Sequence, residues 1–139
     1  MFDQAIMFQR KRKTDERSEY RARQTERVTA APLLADEFPQ LKLLTMELGQ
    51  YDLEGLTRIS QMKQTLNLEN TSSIVRVHCG NMDCVRGDFD LTHDLAEAAA
   101  SRRATATGEL RCEGWRNKAC IEKVRCGRIL RYKLTLEYA

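Results

Sequence analysis

RILRYKLTLEY, residues Arg128–Tyr138, alternates apolar and polar side chains from Leu130 to its end. Successive side chains of a strand point to opposite faces, so this pattern predicts a strand with one buried face and one exposed face. Five side chains form the apolar face: Leu130, Tyr132, Leu134, Leu136 and Tyr138. A strand of this kind is typical of an antiparallel sheet that packs on a core through one side.

Weaker alternation predicts further strands upstream. The segment Leu41–Leu48 is one of them, because Leu44, Met46 and Leu48 alternate with polar residues. Residues 57–68 fit either a strand or a helix, and we favour a strand because turn-like residues flank the segment. The remaining predicted strands are Ser73–Cys79 and Glu109–Cys112.

Turns and one helix separate these strands. Residues Gly49–Gly55 and Glu69–Ser72 are predicted turns. Thr92 is a suitable N-cap for a helix that runs from His93 to about Arg103. Two longer stretches are predicted loops: Gly80–Asp90 and Glu113–Arg125.

Together these elements predict an α+β fold, with a mainly antiparallel sheet of four to five strands and one packed helix between the third and fourth. A chain of 139 residues that is 42% hydrophobic suits one compact domain. No stretch approaches the roughly 20 consecutive apolar residues that cross a bilayer. We predict a charged N-terminal helix or arm over residues 1–31 and a zinc-stabilised α+β domain over residues 32–139.

The N-terminal segment 10–27 holds most of the excess positive charge. It contains eight basic and four acidic residues, a net charge of +4, whereas the whole chain carries +3. The segment lacks Gly and Pro, which favours a helix. Its apolar residues are sparse, and Tyr20, Ala22 and Val28 are not expected to share a face. The segment is therefore predicted to be an exposed helix, or an arm that orders on a partner.

Four of the five cysteines have a spacing that suits a metal site. Four residues separate Cys79 from Cys84, within the range of zinc knuckles. Cys112 ends one predicted strand and Cys126 precedes another, so a hairpin of the two strands would bring both thiols to one end. Four thiolates predict a closed, structural zinc site, since no coordination position remains for a substrate.

The assignment of the fourth ligand leaves alternatives open. Cys120 competes with Cys126, and Cys126 is preferred because the end of a strand positions it. His78 is a weaker candidate, because its side chain should point to the strand face opposite that of Cys79. Buried or exposed thiols that bind no metal are the other interpretation of the pattern.

The leading functional hypothesis is a small non-enzymatic binding module that contacts nucleic acid or an acidic protein. Arginine side chains match phosphate oxygens, and an exposed Trp can stack on a base. Trp115 has an alternative role as a cover for the cysteine site. The candidate nucleic-acid-binding residues are Arg10, Lys11, Arg12, Lys13, Arg17, Arg21, Trp115 and Arg116.

A second hypothesis is an assembly subunit that docks on another protein, or on a second copy of itself, through the N-terminal helix without nucleic acid. Catalysis has little support, because His78 and His93 form no recognisable dyad and no phosphate loop or metalloprotease motif occurs. No secretory signal pattern opens the chain, so a cytoplasmic location without membrane contact is expected.

Overall fold

A computed structural model describes residues 19–81, 84–85, 87–116 and 124–139. The helices among them are α1 (residues 19–30), α2 (Leu34–Glu37) and α3 (Thr92–Ala100). The strands are β1 (Leu41–Tyr51), β2 (Arg58–Thr65), β3 (Arg76–His78), β4 (Cys84–Val85), β5 (Asp88–Asp90), β6 (Thr105–Arg111), β7 (Trp115–Arg116), β8 (Val124–Arg125) and β9 (Ile129–Tyr138). No described helix is both long and apolar enough to span a membrane.

The main sheet has four antiparallel strands in the order β2-β1-β9-β6. Leu134 of β9 pairs with Met46 of β1 on one side and with Ala106 of β6 on the other. Two small sheets, β3-β5 and β4-β7-β8, complete the strand pairing. The predicted α+β fold with a mainly antiparallel sheet is thereby confirmed.

One face of the main sheet and helix α3 enclose the core. Leu130 and Leu134 of β9 are fully buried, as the alternation of that strand predicts. Leu95 of α3 packs in the same core. Two tyrosines of β9 also hold α3: Tyr132 Oη donates to Asp94 Oδ2 at 2.7 Å, and Tyr138 Oη donates to the carbonyl of Arg103 at 2.9 Å.

The turn between β1 and β2 begins later than predicted. Residues 49–51 continue β1, so the predicted turn at Gly49–Gly55 is wrong over its first three residues. The chain reverses instead at Asp52, whose Oδ1 accepts hydrogen bonds from the backbone N–H groups of Leu56 and Thr57. Gly55 follows with φ +75°, a conformation that glycine adopts readily. The preferred strand at residues 57–68 is confirmed as β2.

Three other boundaries differ from the predicted ones. Strand β3 is shorter than Ser73–Cys79 and pairs with β5, whereas β6 begins at Thr105 because its first residues already pair with β9. Thr92 does not cap α3, since Leu91 is the N-cap residue and Thr92 Oγ1 accepts from the N–H of Val75. The helix ends at Ala100.

Helix α1 lies on the domain along one narrow face. Tyr20, Gln24 and Val28 are half-buried at successive four-residue intervals, while Ala22 is exposed. The carbonyl of Val28 accepts a hydrogen bond from Ser72 Oγ at 2.7 Å. The expectation that Tyr20 and Val28 share no face is wrong, because both lie with Gln24 on the half-buried face of α1. The domain boundary at residue 31 stays a prediction.

Replacing Tyr132 by Phe should lower the free energy of unfolding by about 1 kcal/mol, because Asp94 in the first turn of α3 loses its donor. Chemical denaturation measures the change. Tyr51→Phe is the matched control: its ring stacks beneath the Arg131 guanidinium at 4.5 Å, which a Phe ring retains. An equal loss in both variants would contradict a role for the Tyr132 hydrogen bond.

Candidate metal centre

Four cysteine thiols meet at one end of the main sheet. The Sγ atoms of Cys79, Cys84, Cys112 and Cys126 all lie within 4.8 Å of one another. Cys79 Sγ is 3.7 Å from Cys126 Sγ, and Cys84 Sγ is 3.5 Å from Cys112 Sγ. A tetrahedral ion with metal–sulfur bonds of about 2.3 Å needs sulfur–sulfur separations of about 3.8 Å. The cluster therefore has the composition and spacing of a four-thiolate metal site.

Paired strands carry each of these thiols to its position. Cys112 directly follows β6 and Cys126 lies shortly before β9, and the last pair between those strands is Arg111 with Ile129. The prediction that the pairing of these two strands brings both thiols to one end is therefore correct. Cys79 directly follows β3, and Cys84 begins β4. Three of the cysteines are buried, and Cys79 is partly buried.

The two halves of the site share one hydrogen-bond pattern. In the first half, the N–H of Asn81 donates to the sulfur of Cys79, and the carbonyl of Asn81 accepts from the N–H of Cys84 at 3.0 Å. In the second half, Gly114 makes the same two bonds with Cys112 and Cys126, the latter at 2.8 Å. N–H donors to sulfur are the outer contacts that orient and tune metal ligands. Both halves are therefore built as knuckles.

The second knuckle contains an inserted hairpin. Strands β7 and β8 lie between Gly114 and Cys126, and β7 pairs with β4 of the first knuckle. The prediction of a plain loop over Glu113–Arg125 is therefore wrong, and so is the prediction of a loop throughout Gly80–Asp90. The physical reason is the same in both cases. These two- and three-residue strands form through pairing with distant segments rather than through local alternation.

Two glycines let the backbone lie against the sulfur atoms. A Cβ on Gly87 would collide with Cys84 Sγ and lie 2.6 Å from Cys112 Sγ. A Cβ on Gly114 would lie 2.6 Å from Cys84 Sγ and equally close to the Gly87 backbone. The backbone therefore packs directly against the sulfur atoms of Cys84 and Cys112.

A buried amide supports the first knuckle from the main sheet. Gln50 of β1 is only 9% exposed; its Oε1 accepts from the N–H of Gly80 at 2.9 Å, and its Nε2 donates to the carbonyl of His78 at 3.0 Å. Asn81 Nδ2 donates to Cys126 Sγ at 3.5 Å, which links the two knuckles. Sequence reasoning missed Gln50, because a single polar residue that follows a predicted strand is expected to be exposed to solvent.

The thiols strongly perturb one another. Hydrogen bonds from Cys112 and Cys84 lower the pKa of Cys79, with further help from the Asn81 N–H. Hydrogen bonding with Cys112 and Cys79 raises the pKa of Cys84, and hydrogen bonding with Cys79 raises the pKa of Cys112. One thiolate thus forms readily while its neighbours resist ionisation. A divalent cation supplies the charge that lets all four ionise together.

Helix α1 lies beside the first knuckle. Tyr20 Oη donates to Asp88 Oδ1 at 3.4 Å, and Arg76 Nε donates to Asp88 Oδ2 at 2.8 Å. This Tyr20–Arg76–Asp88 cluster borders a cleft of about 390 Å³ whose walls include Arg21 and Cys79. Its residues were not among those predicted, because nothing in the sequence connects α1 with β3 and β5.

The other predicted site residues are distributed as follows. Arg21 is exposed on α1, and Trp115 is half-exposed on β7 beside Arg116. His78 and His93 are exposed, and neither belongs to the thiol cluster. Five of the predicted basic residues and the competing thiol lie outside the described residues: Arg10, Lys11, Arg12, Lys13, Arg17 and Cys120.

The full chain should bind one divalent metal ion through four thiolates. Cobalt-substituted protein should show the ligand-field and charge-transfer bands of tetrahedral four-sulfur coordination, measured by absorption. Cys84→Ser should lose this spectrum, because it removes one of the four clustered sulfurs. Cys120→Ser is the control and should keep it. An unchanged spectrum in Cys84→Ser would contradict the assigned ligand set.

Gly87→Ala should weaken metal binding by about 10- to 100-fold, the usual effect of disturbing the contacts around metal ligands. The added methyl group would displace the sulfurs of Cys84 and Cys112. Gly49→Ala is the control, because the atoms nearest to its added Cβ all belong to the Tyr51 side chain and not to a thiol or to Gln50. Competition with a chromogenic chelator measures both affinities, and equal weakening would count against the packing argument.

Comparison with known proteins finds no match for this chain among family models, curated proteins or solved structures. Its function has to be argued from the thiol cluster, the charged helix and the surfaces beside them.

Proposed function

We propose that the protein is a small non-enzymatic binding module that contacts nucleic acid through its basic N-terminal segment. The proposal rests on one observation: α1, the described part of that segment, is anchored beside a closed four-thiol cluster through Tyr20 and Asp88. Such a cluster stiffens a small domain, and a stiff domain can hold a charged helix in a defined place. The absence of catalysis stays a prediction.

Zinc is the metal that we propose for the cluster. Four thiolates in tetrahedral spacing suit zinc or iron, and zinc is the usual choice where the site has a structural role. The number of clustered thiols supports a structural role, since four thiolates complete a tetrahedral site and leave no open coordination position. Elemental analysis of protein purified under reducing conditions separates the two metals. Reduced thiols also agree with the proposed cytoplasmic location.

The charge and exposure of α1 support a polyanionic partner. Arg21, Arg23 and Arg27 are exposed, while the half-buried face of the helix is turned towards the domain. The basic run Arg10–Lys13 and Arg17 precede this helix in the sequence. Arginine forks bind phosphate oxygens in two-point contacts, and clustered positive charge releases counterions from nucleic acid. An acidic protein surface is the related alternative.

Assembly with another protein chain is the second candidate. Strand β2 lies at an edge of the main sheet, and all eight of its residues are exposed. Ile59 and Met62 are 49% and 46% exposed there. An uncovered edge strand can pair with a strand of another chain, so this edge favours an assembly role. Such association would depend weakly on salt, in contrast to phosphate binding.

Neutralising the basic run should weaken nucleic-acid binding by at least about tenfold, and should reduce its dependence on salt, because fewer counterions are released. Fluorescence anisotropy of a labelled oligonucleotide at several salt concentrations measures both effects. The variant converts five residues to Gln: Arg10, Lys11, Arg12, Lys13 and Arg17.

The matched control removes the same charge from exposed positions of the folded domain. It also converts five residues to Gln: Lys42, Arg58, Lys63, Arg103 and Lys133. If both variants lose affinity equally, net charge rather than the N-terminal segment governs binding. Salt-insensitive self-association of the unaltered chain, without oligonucleotide binding, would favour the assembly role.

A further inference from the structure

Positive charge is concentrated in a second segment besides the N-terminal one. Residues 111–131 contain seven basic and two acidic residues, a net charge of +5. Residues 10–27 contribute +4, so the rest of the chain carries −6. The second basic segment coincides with the knuckle of Cys112 and Cys126 and its inserted hairpin β7-β8. Within this segment, the described residues Arg111, Arg125 and Arg128 lie next to Cys112 or Cys126 in the sequence, or two residues from it.

The hairpin pairs an aromatic ring with a cation. Trp115 lies directly opposite Arg125 in the register of β7 and β8. Side chains at directly opposite positions of an antiparallel pair share a face and lie about 5 Å apart at Cβ. Trp115 is half-exposed and Arg125 is exposed. The face of the hairpin that carries them therefore combines a stacking surface with a positive charge.

Within the part of the chain that the structure describes, the Arg125 guanidinium is held by a backbone carbonyl and not by a carboxylate. Its Nη1 donates to the carbonyl of Glu113 at 2.9 Å. None of the ion pairs among the described residues includes Arg125, and the same is true of neighbouring Arg111 and Arg128. Arg111 is likewise anchored on backbone, since its Nη1 donates to the carbonyl of Gly127. These guanidinium groups retain N–H donors for a phosphate.

We propose that the β7-β8 hairpin binds single-stranded nucleic acid, with a base stacked on Trp115 and the adjoining phosphate bound by Arg125. This inference deepens the proposed function and rests on it. A single strand fits better than a duplex, because the faces of paired bases are covered by their neighbours in the stack. Cys112 and Cys126 flank the hairpin in the sequence and meet at its base, so an ion bound to their thiols would hold this surface in place.

Trp115 makes the proposal directly measurable, because it is the only tryptophan of the chain. The metal-loaded full chain is titrated with a thymidine 12-mer, and the indole fluorescence is recorded alongside the anisotropy of the labelled strand. Stacking should quench the fluorescence in parallel with the rise in anisotropy. A duplex of equal length should raise the anisotropy with little quenching, since only the basic contacts remain.

Two substitutions test the residues separately. Trp115→Ala should weaken binding of the 12-mer by about 5- to 100-fold, the range expected for loss of one stacked base. Arg125→Ala should lower the salt dependence by about one released ion and weaken binding several-fold. Arg58→Ala, which removes one exposed charge from β2, is the control and should leave binding nearly unchanged. Metal content of each variant confirms that the domain is folded.

The outcomes distinguish this inference from the proposed function. If anisotropy rises but the fluorescence of Trp115 stays constant, the N-terminal segment binds alone and the hairpin proposal is overturned. Equal affinity of Arg125→Ala and the unaltered chain overturns it as well. If neither strand nor duplex changes the anisotropy, the proposed function itself fails. Quenching by an acidic peptide but not by the 12-mer would assign the hairpin to a protein partner.

Discussion

The mutual approach of four thiols is the constraint on which this end of the main sheet and the two knuckles depend. All four sulfur atoms lie within 4.8 Å, yet they come from segments that are far apart in the chain. Four thiolates at this distance would repel one another, and without a cation hydrogen bonds among the thiols lower the pKa of Cys79 while they raise that of Cys84. The arrangement is consistent with a metal site, because a divalent cation removes the repulsion and bonds all four segments at once.

Strand pairing in the main sheet positions two of the four thiols whether or not a metal ion is bound. Strands β6 and β9 pair up to Arg111 and Ile129, so the positions of Cys112 and Cys126 follow from the register of the large sheet. The first knuckle has much less support of its own, since β3 and β5 share only three pairs. Gln50 of β1 adds support, because its side chain bonds the carbonyl of His78 before Cys79 and the N–H of Gly80 after it. The first knuckle is therefore the half of the site that gains most from a bound ion.

Sequence reasoning succeeded where the signal is local. Alternation in Arg128–Tyr138 predicted β9 and its buried face, and the position of Cys126 before that strand explains why its thiol lies near that of Cys112. Reasoning failed where a short strand exists only through a distant partner, as β7 does through β4. It also missed Gly87, whose importance arises from two sulfurs that approach from other segments. The docked face of α1 was missed because its middle residue, Gln24, is polar.

Basic side chains from two parts of the chain lie near the thiol cluster, since Arg21 shares a cleft with Cys79 and the Arg128 guanidinium lies close to Gly80. A divalent ion with four thiolates carries a net charge of −2, which attracts nearby cations whatever the protein binds. Arg128 is placed to balance this negative charge, because its guanidinium lies close to Gly80 of the first knuckle. Arg125 is not placed to balance that charge, because its side chain is exposed and its guanidinium donates to the carbonyl of Glu113. Charge compensation at the thiol cluster would therefore explain the position of Arg128 but not that of Arg125.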